Sequence, residues 1–152
     1  MISQKARYAF KALFALVRAG DRVVQAREIA STEQIPQSFL EQILLDLRRG
    51  GLVGSRRGKV GGHYLVKDPA EISCGQVLRL IDGPIAPLPC LSKTAYRRCD
   101  DCRDERACAV RHLFADGYAA MIGALENASL LEASRRADGT AAAETIIAGA
   151  YI

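Results

Sequence analysis

At 152 residues the chain is long enough for one sizeable core, and a composition 49% apolar and 25% charged excludes wholesale disorder. The net charge of +4 is too mild to identify a polyanionic partner, so the distribution of charge has to decide. No apolar run approaches the ~20 residues of a membrane span, and Lys5, Arg7 and Lys11 are spread through an amphipathic pattern with no signal-peptide core behind them, so a soluble cytoplasmic protein is expected.

Ser3 is placed to cap a first helix in which Ala6, Ala9, Phe10, Leu13, Phe14 and Val17 recur at three- and four-residue steps, the mark of one buried face. Gly20-Asp21 ends it. Val23-Val24 reads as extended, and Ala26 to Ser31 as a short helix with Ile29 and Ala30 inward. After a turn at Glu33-Gln34, Pro36 suits the first turn of a third helix. This helix runs from Gln37 to Arg49, with Phe39, Leu40, Ile43, Leu44 and Leu47 expected inside and Gly50-Gly51 as its stop. Leu52-Val53 and Tyr64-Leu65-Val66 predict two short strands joined by a basic, glycine-rich turn over Ser55 to Gly62. Ser73 caps a fourth helix carrying Val77, Leu78 and Ile81 and ending at Asp82-Gly83. Pro84 to Asp104 has no periodicity and needs something other than a core to order it.

A long helix is expected from Glu105 to Arg135, with Val110, Phe114, Gly117, Met121, Ala124, Ala128 and Leu131 forming a heptad-like seam. Such a stripe needs a partner, and a second copy of the chain is the simplest one. The expected organisation is a DNA-binding unit over residues 1–68, a helix and cysteine loop over 69–104, a dimerisation helix over 105–135 and a flexible tail over 136–152.

Three helices followed by a basic hairpin is the order of a winged helix-turn-helix, in a mainly α fold with a long C-terminal dimerisation helix. The solvent face of the third helix then offers Gln37, Ser38, Glu41, Gln42 and Arg48 to double-stranded DNA, with Gln37 and Ser38 best placed for base edges or phosphates. The hairpin turn adds Arg56, Arg57 and Lys59, whose charges suit phosphates and the minor groove. Any one of these charges is more often plain solvated surface. It is the helix order, tight turn and basic hairpin together that point to DNA.

Four of the five cysteines fall in one polar stretch as Cys90-x8-Cys99-x2-Cys102-x5-Cys108. In a reducing compartment such a cluster indicates metal or redox chemistry rather than a disulfide framework, and four unrelated buried thiols would not suit a polar loop. The four thiolates satisfy an iron–sulfur cluster or tetrahedral zinc, and a thiol switch with Cys99 and Cys102 as partners is a third reading. Arg97, Arg98, Arg103 and Arg106 are expected to lower the thiol pKa values. Cys74 is read as core. The reading of another class, a thiol oxidoreductase using this loop, is not expected: no βαβ unit surrounds the Cys-x2-Cys pair, and no phosphate loop, nucleophile elbow or metalloprotease motif occurs.

Ile35-Pro36-Gln37-Ser38-Phe39-Leu40-Glu41-Gln42-Ile43-Leu44, then Leu47-Arg48-Arg49-Gly50-Gly51-Leu52-Val53, then Arg57-Gly58 and Gly61-Gly62 with Tyr64-Leu65, carry a family resemblance. Over roughly residues 1 to 134 the chain resembles the iron–sulfur cluster regulator family of winged-helix transcription factors (IscR, NsrR, RirA and CymR type, the Rrf-two superfamily). The resemblance implies a homodimer on pseudo-palindromic DNA, with the long C-terminal helices crossing at the interface. It assigns recognition-helix roles to Gln37, Ser38 and Glu41 and wing roles to Arg56, Arg57 and Lys59. The family's wing runs Arg-Gly-x-x-Gly-Gly-Tyr; here His63 is inserted before Tyr64 and is expected to point outward.

The resemblance also favours a cluster of 2Fe–2S or 4Fe–4S type on the loop. Relatives carry three cysteines there, a pattern that Cys90, Cys102 and Cys108 fit and to which Cys99 is an addition. His112 follows Cys108 by four residues, one later than the ligand histidine of cluster-sensing relatives. The expected function is a sequence-specific DNA-binding transcriptional regulator whose cluster tunes DNA affinity in response to iron, redox or sulfur status.

Overall fold

In the computed structural model, which describes residues 2–137 and Gly139, the Ser3 hydroxyl accepts the Ala6 amide at 2.9 Å and starts α1 (Gln4–Ala19). The face that α1 buries is Ala6, Ala9, Ala12, Leu13 and Leu16, a stripe turned slightly from the expected one. Alanines at these steps let neighbouring helices approach closely, so the bulkier Phe10, Phe14 and Val17 are displaced to the rim and only partly buried. There Phe10 and Phe14 pack on each other with ring centroids 6.0 Å apart.

α2 (Ala26–Glu33) buries Ile29 and closes on Gln34 in a left-handed conformation at φ 55°. Pro36 then leads into α3 (Gln37–Arg49), whose bounds match the expected ones and which buries Leu40, Ile43, Leu44 and Leu47. Phe39 does not join them. It is 40% exposed and meets Tyr8 of α1 edge to face at 5.8 Å, because the stripe through Leu40 and Leu44 already fills the core side of the helix. β1 (Val53–Arg56) and β2 (Gly62–Leu65) pair antiparallel, from Val53 opposite Leu65 to Arg56 opposite Gly62. The Val66 amide extends the ladder by donating to the Leu52 carbonyl at 3.1 Å.

α4 (Cys74–Asp82) is capped by Ser73, whose hydroxyl accepts the Gln76 amide at 3.1 Å. A loop containing a 3₁₀ turn at Pro89–Leu91 leads to α5 (Ala109–Asn127). The long C-terminal helix is therefore present, but it starts later than Glu105 and does not run on to Arg135. It breaks at Ala128-Ser129, and α6 (Leu130–Ala137) follows. The cause is local: Ser129 and Glu132 make a reciprocal capping box, with the Ser129 hydroxyl accepting the Glu132 amide at 3.1 Å and the Glu132 carboxylate accepting the Ser129 amide at 3.2 Å.

The break is stitched to the segment before α4. The Ala128 carbonyl accepts the Cys74 amide at 2.9 Å, the Leu130 amide donates to Ile72 at 2.8 Å, and the Leu131 amide donates to Pro69 at 3.2 Å. α6 thereby returns onto α1, and Leu130 is fully buried in the same core as Leu13, Ile43, Leu52, Ile72 and Val77. Leu131, expected in the α5 seam, belongs instead to this returning helix. The tail expected over 136–152 lies outside the described residues apart from Arg136, Ala137 and Gly139. Among the described residues no helix is long and apolar enough to cross a membrane.

Candidate nucleic-acid interface and cysteine loop

The eight residues expected to meet DNA are all exposed: Gln37, Ser38, Glu41, Gln42 and Arg48 on α3, and Arg56, Arg57 and Lys59 in the hairpin. On α3 the Gln37 amide donates to Glu41 at 3.0 Å and the Gln42 amide to Asp46 at 3.2 Å, which holds these side chains along the helix surface. Lys5 of α1 pairs with Asp46 at 2.8 Å and keeps that carboxyl below the usual carboxylate range. Arg48 reaches across to β1, its Nη1 donating to the Ser55 hydroxyl at 3.3 Å. The third helix and the wing are thus fastened directly to each other.

Sequence reasoning missed a second fastening. Val24 pairs with His63 as an isolated antiparallel bridge, and the Gln25 side chain donates to the Lys59 carbonyl at 3.4 Å. His63 consequently does not point outward. It is half-buried, its Nδ1 is enclosed without a partner, and desolvation, then the Arg48 charge, hold its pKa below the ordinary histidine value. The extended pair Val23-Val24 was the available signal, since an isolated extended stretch beside a hairpin invites pairing with it.

In the cysteine loop Cys90 is buried, while Cys99, Cys102 and Cys108 are partly exposed. The loop is tied mainly to itself. The Cys102 amide donates to Cys99 at 3.1 Å, the Arg97 amide to Pro89 at 3.2 Å, and the Tyr96 hydroxyl bonds Glu105. The Arg98 Nη2 donates to the Cys102 and Arg103 carbonyls at 2.9 and 2.8 Å.

The expected lowering of thiol pKa is overturned at Cys99. Desolvation pushes its thiol up, followed by a hydrogen bond with Cys90 and the charges of Cys90, Cys102 and Asp101. Arg98 spends its guanidinium on backbone carbonyls instead of on the sulfur.

Cys99 thus has Cys90, Cys102 and Asp101 in its surroundings, and Cys108 stands at the start of α5. Among the described residues no three Cys, His, Asp or Glu side chains are arranged to hold a metal ion. The His112 Nε2 already donates to the Arg106 carbonyl at 2.7 Å. On the next residue back, the Arg111 Nε is buried without a hydrogen-bond partner, an unspent donor beside the loop. Cys74 lies in the core as expected, its Sγ 3.8 Å from the Ser129 carbonyl oxygen and its thiol pushed up by burial.

α5 buries only Ile122 among its residues. Val110, Leu113, Phe114, Gly117, Met121 and Ala124 face solvent, with Leu113 75% and Met121 44% exposed. Among the described residues nothing covers this apolar face.

A helix-turn-helix followed by a basic two-stranded wing, with a long helix carrying an apolar face, defines a winged-helix transcription regulator. The chain belongs to the Rrf2 family: the family model, described as an iron-dependent transcriptional regulator, matches residues 2–135. It is 46% identical to an rrf2-like HTH-type transcriptional regulator of Rhodobacter capsulatus over 90% of this chain and 96% of that protein. It is 31% identical to the HTH-type transcriptional regulator IscR of Serratia proteamaculans over 86% of this chain and 77% of that protein. In three dimensions it is similar to CymR, the global cysteine regulator of B. subtilis, with a TM-score of 0.74 at 28% identity over 90% of this chain and 97% of that one. Fold and relatives alike are those of a DNA-binding transcription regulator, not of an enzyme.

Proposed function

We propose that the chain works in the cytoplasm as a homodimer on a pseudo-palindromic operator. In this reading Gln37 and Ser38 at the start of α3 reach base edges or phosphates, Glu41, Gln42 and Arg48 line the same groove, and Arg56, Arg57 and Lys59 grip the backbone from the wing. The observation that carries it is the fastening of the two elements by Arg48 and Ser55 while all eight side chains remain exposed. The face of α5 around Phe114, Gly117 and Met121, exposed among the described residues, is the dimer contact, since burying one such stripe against its copy satisfies both.

The cysteine loop is the sensor, with Cys90, Cys99, Cys102 and Cys108 as thiolate ligands of an iron–sulfur cluster. The donor set suits the group by its chemistry: four thiols lie on one loop, Cys99 has Cys90 and Cys102 in its surroundings, and Cys108 begins α5. When bound, the cluster would give the loop a charge that depends on iron and redox state. The chain's own residues pass the loop's position on: Arg79 and Ser73 both hold Glu126, joining α4 to α5 at the point where α5 meets the core.

Anaerobic purification from iron-replete cells tests this, with a broad band between ~300 and ~500 nm and near-equal iron and sulfide expected. Cys90→Ala, Cys102→Ala or Cys108→Ala removes the colour and Cys74→Ala keeps it. A colourless protein with stoichiometric zinc would replace the cluster by a structural zinc site. A metal-free one would leave a thiol switch with Cys99 and Cys102 as partners.

A further inference from the structure

The wing carries one residue that its cations do not account for. Val60 is 83% exposed, the most exposed large apolar side chain among the described residues. A lone exposed valine is ordinary on a protein surface, but this one occupies a built position. The Gly61 amide donates to the Gly58 carbonyl at 2.9 Å, which makes Lys59 and Val60 the two central residues of the turn at the wing's apex. Gly58 adopts φ 110°, a conformation a side chain would strain. The apex is then held from below by Gln25 on the Lys59 carbonyl and by the pairing of Val24 with His63.

We propose that Val60 enters the DNA minor groove and biases the site beneath the wing toward A·T pairs. This rests on the DNA-binding reading above. Arg56 and Arg57 before the apex and Lys59 beside Val60 within it are drawn to the phosphate rows that border a minor groove about 6 Å wide. The walls of that groove are deoxyribose C–H surface, against which a branched apolar side chain leaves water. Its floor presents only acceptors at A·T pairs, whereas G·C pairs add the guanine N2 amino group. A valine pressed over that group would bury a donor with nothing to accept it, so G·C pairs are disfavoured.

The test uses the full chain, purified anaerobically, and duplexes that it selects from a random pool. Val60→Ala, at a largely exposed position and so harmless to folding, should weaken binding roughly three- to tenfold without changing the slope of affinity against salt, because no phosphate contact is lost. At each A·T pair under the wing, replacement by G·C should weaken the wild type and replacement by inosine·C, which lacks the N2 amino group, should restore it. Val60→Ala should be indifferent to the three pairs. A variant that binds as tightly as the wild type, or inosine·C no better than G·C, overturns the role of Val60 and leaves DNA binding standing. A wild type that selects no duplex overturns both.

Discussion

Val24 and His63 exchange both of their backbone hydrogen bonds, the Val24 amide donating to the His63 carbonyl at 2.9 Å and the His63 amide to the Val24 carbonyl at 2.7 Å. The segment ahead of α2 thus acts as a one-pair third strand at the base of the wing. A Cβ on Gly62 would collide with the Val24 carbonyl, so the approach depends on a glycine there. Together with the bond from Arg48 to Ser55, this joins the wing to both helices of the helix-turn-helix, and it encloses the imidazole of His63.

That enclosure has a pH signature. Desolvation and Arg48 hold the folded-state pKa of His63 below its unfolded value of about 6.5. The unfolded chain therefore takes up the proton first. Stability is complete above about pH 6.5 and declines as pH falls toward the folded-state value. Urea midpoints taken near pH ~7.5 and pH ~5.5 should fall less for His63→Gln than for the wild type. An equal fall in both would show that His63 does not carry the effect.

Arg56→Ala with Arg57→Ala should weaken selected and random duplexes together. Each arginine that meets a phosphate contributes about 0.9 to the slope of log affinity against log salt, so the double variant should lose between about one and two units of slope. Gel shifts across a salt series read this directly, and an unaltered slope would remove these arginines from the backbone contact.

Met121 is 44% exposed in the single chain, so Met121→Lys leaves the protomer's core intact. At the centre of a paired α5 face, the same lysine is an unpartnered buried charge costing about 3–5 kcal/mol. Sedimentation should then show monomer at micromolar concentration where the wild type is dimeric. A dimer in both would place the interface elsewhere.

Leu130 is fully buried among residues of α1, α3 and α4. Leu130→Ala should cost about 2–5 kcal/mol in urea unfolding. A cost of a few tenths would mean that α6 does not belong to the core.

What was legible in the sequence is what local chemistry controls. Pro36 and Gly50-Gly51 bracket α3, Ser73 caps α4, and a glycine-rich basic stretch between two apolar pairs makes the wing; all of these stand where they were expected. The exposed faces of α3 and the wing follow from them. The Ser129-x-x-Glu132 box was equally local but lay inside a heptad-like run, and the periodicity carried the reading straight across it. His63, Phe39 and Arg98 were placed by partners distant in sequence or by competing backbone acceptors, Val24, Tyr8 and the Cys102 and Arg103 carbonyls, which no spacing rule reports. The rotation of the α1 stripe came from alanines, whose small size matters only once a neighbouring helix is known to press against them.

Because Ala128 and Leu130 are hydrogen-bonded to Cys74 and Ile72, the start of α4 and the end of α5 leave from and return to one place in the fold. The stretch between Gly83 and Cys108 is an inset, bracketed by α4 and α5, whose own base is locked by Arg79, Ser73 and Glu126. Replacing this inset should leave in place the bonds that join α4 to the end of α5 and the start of α6. A cut after Asn127 has the opposite effect, since it removes a wall of the core. A chimera that exchanges the cysteine loop should therefore be joined at Gly83 and Cys108, and must keep α6 with α1.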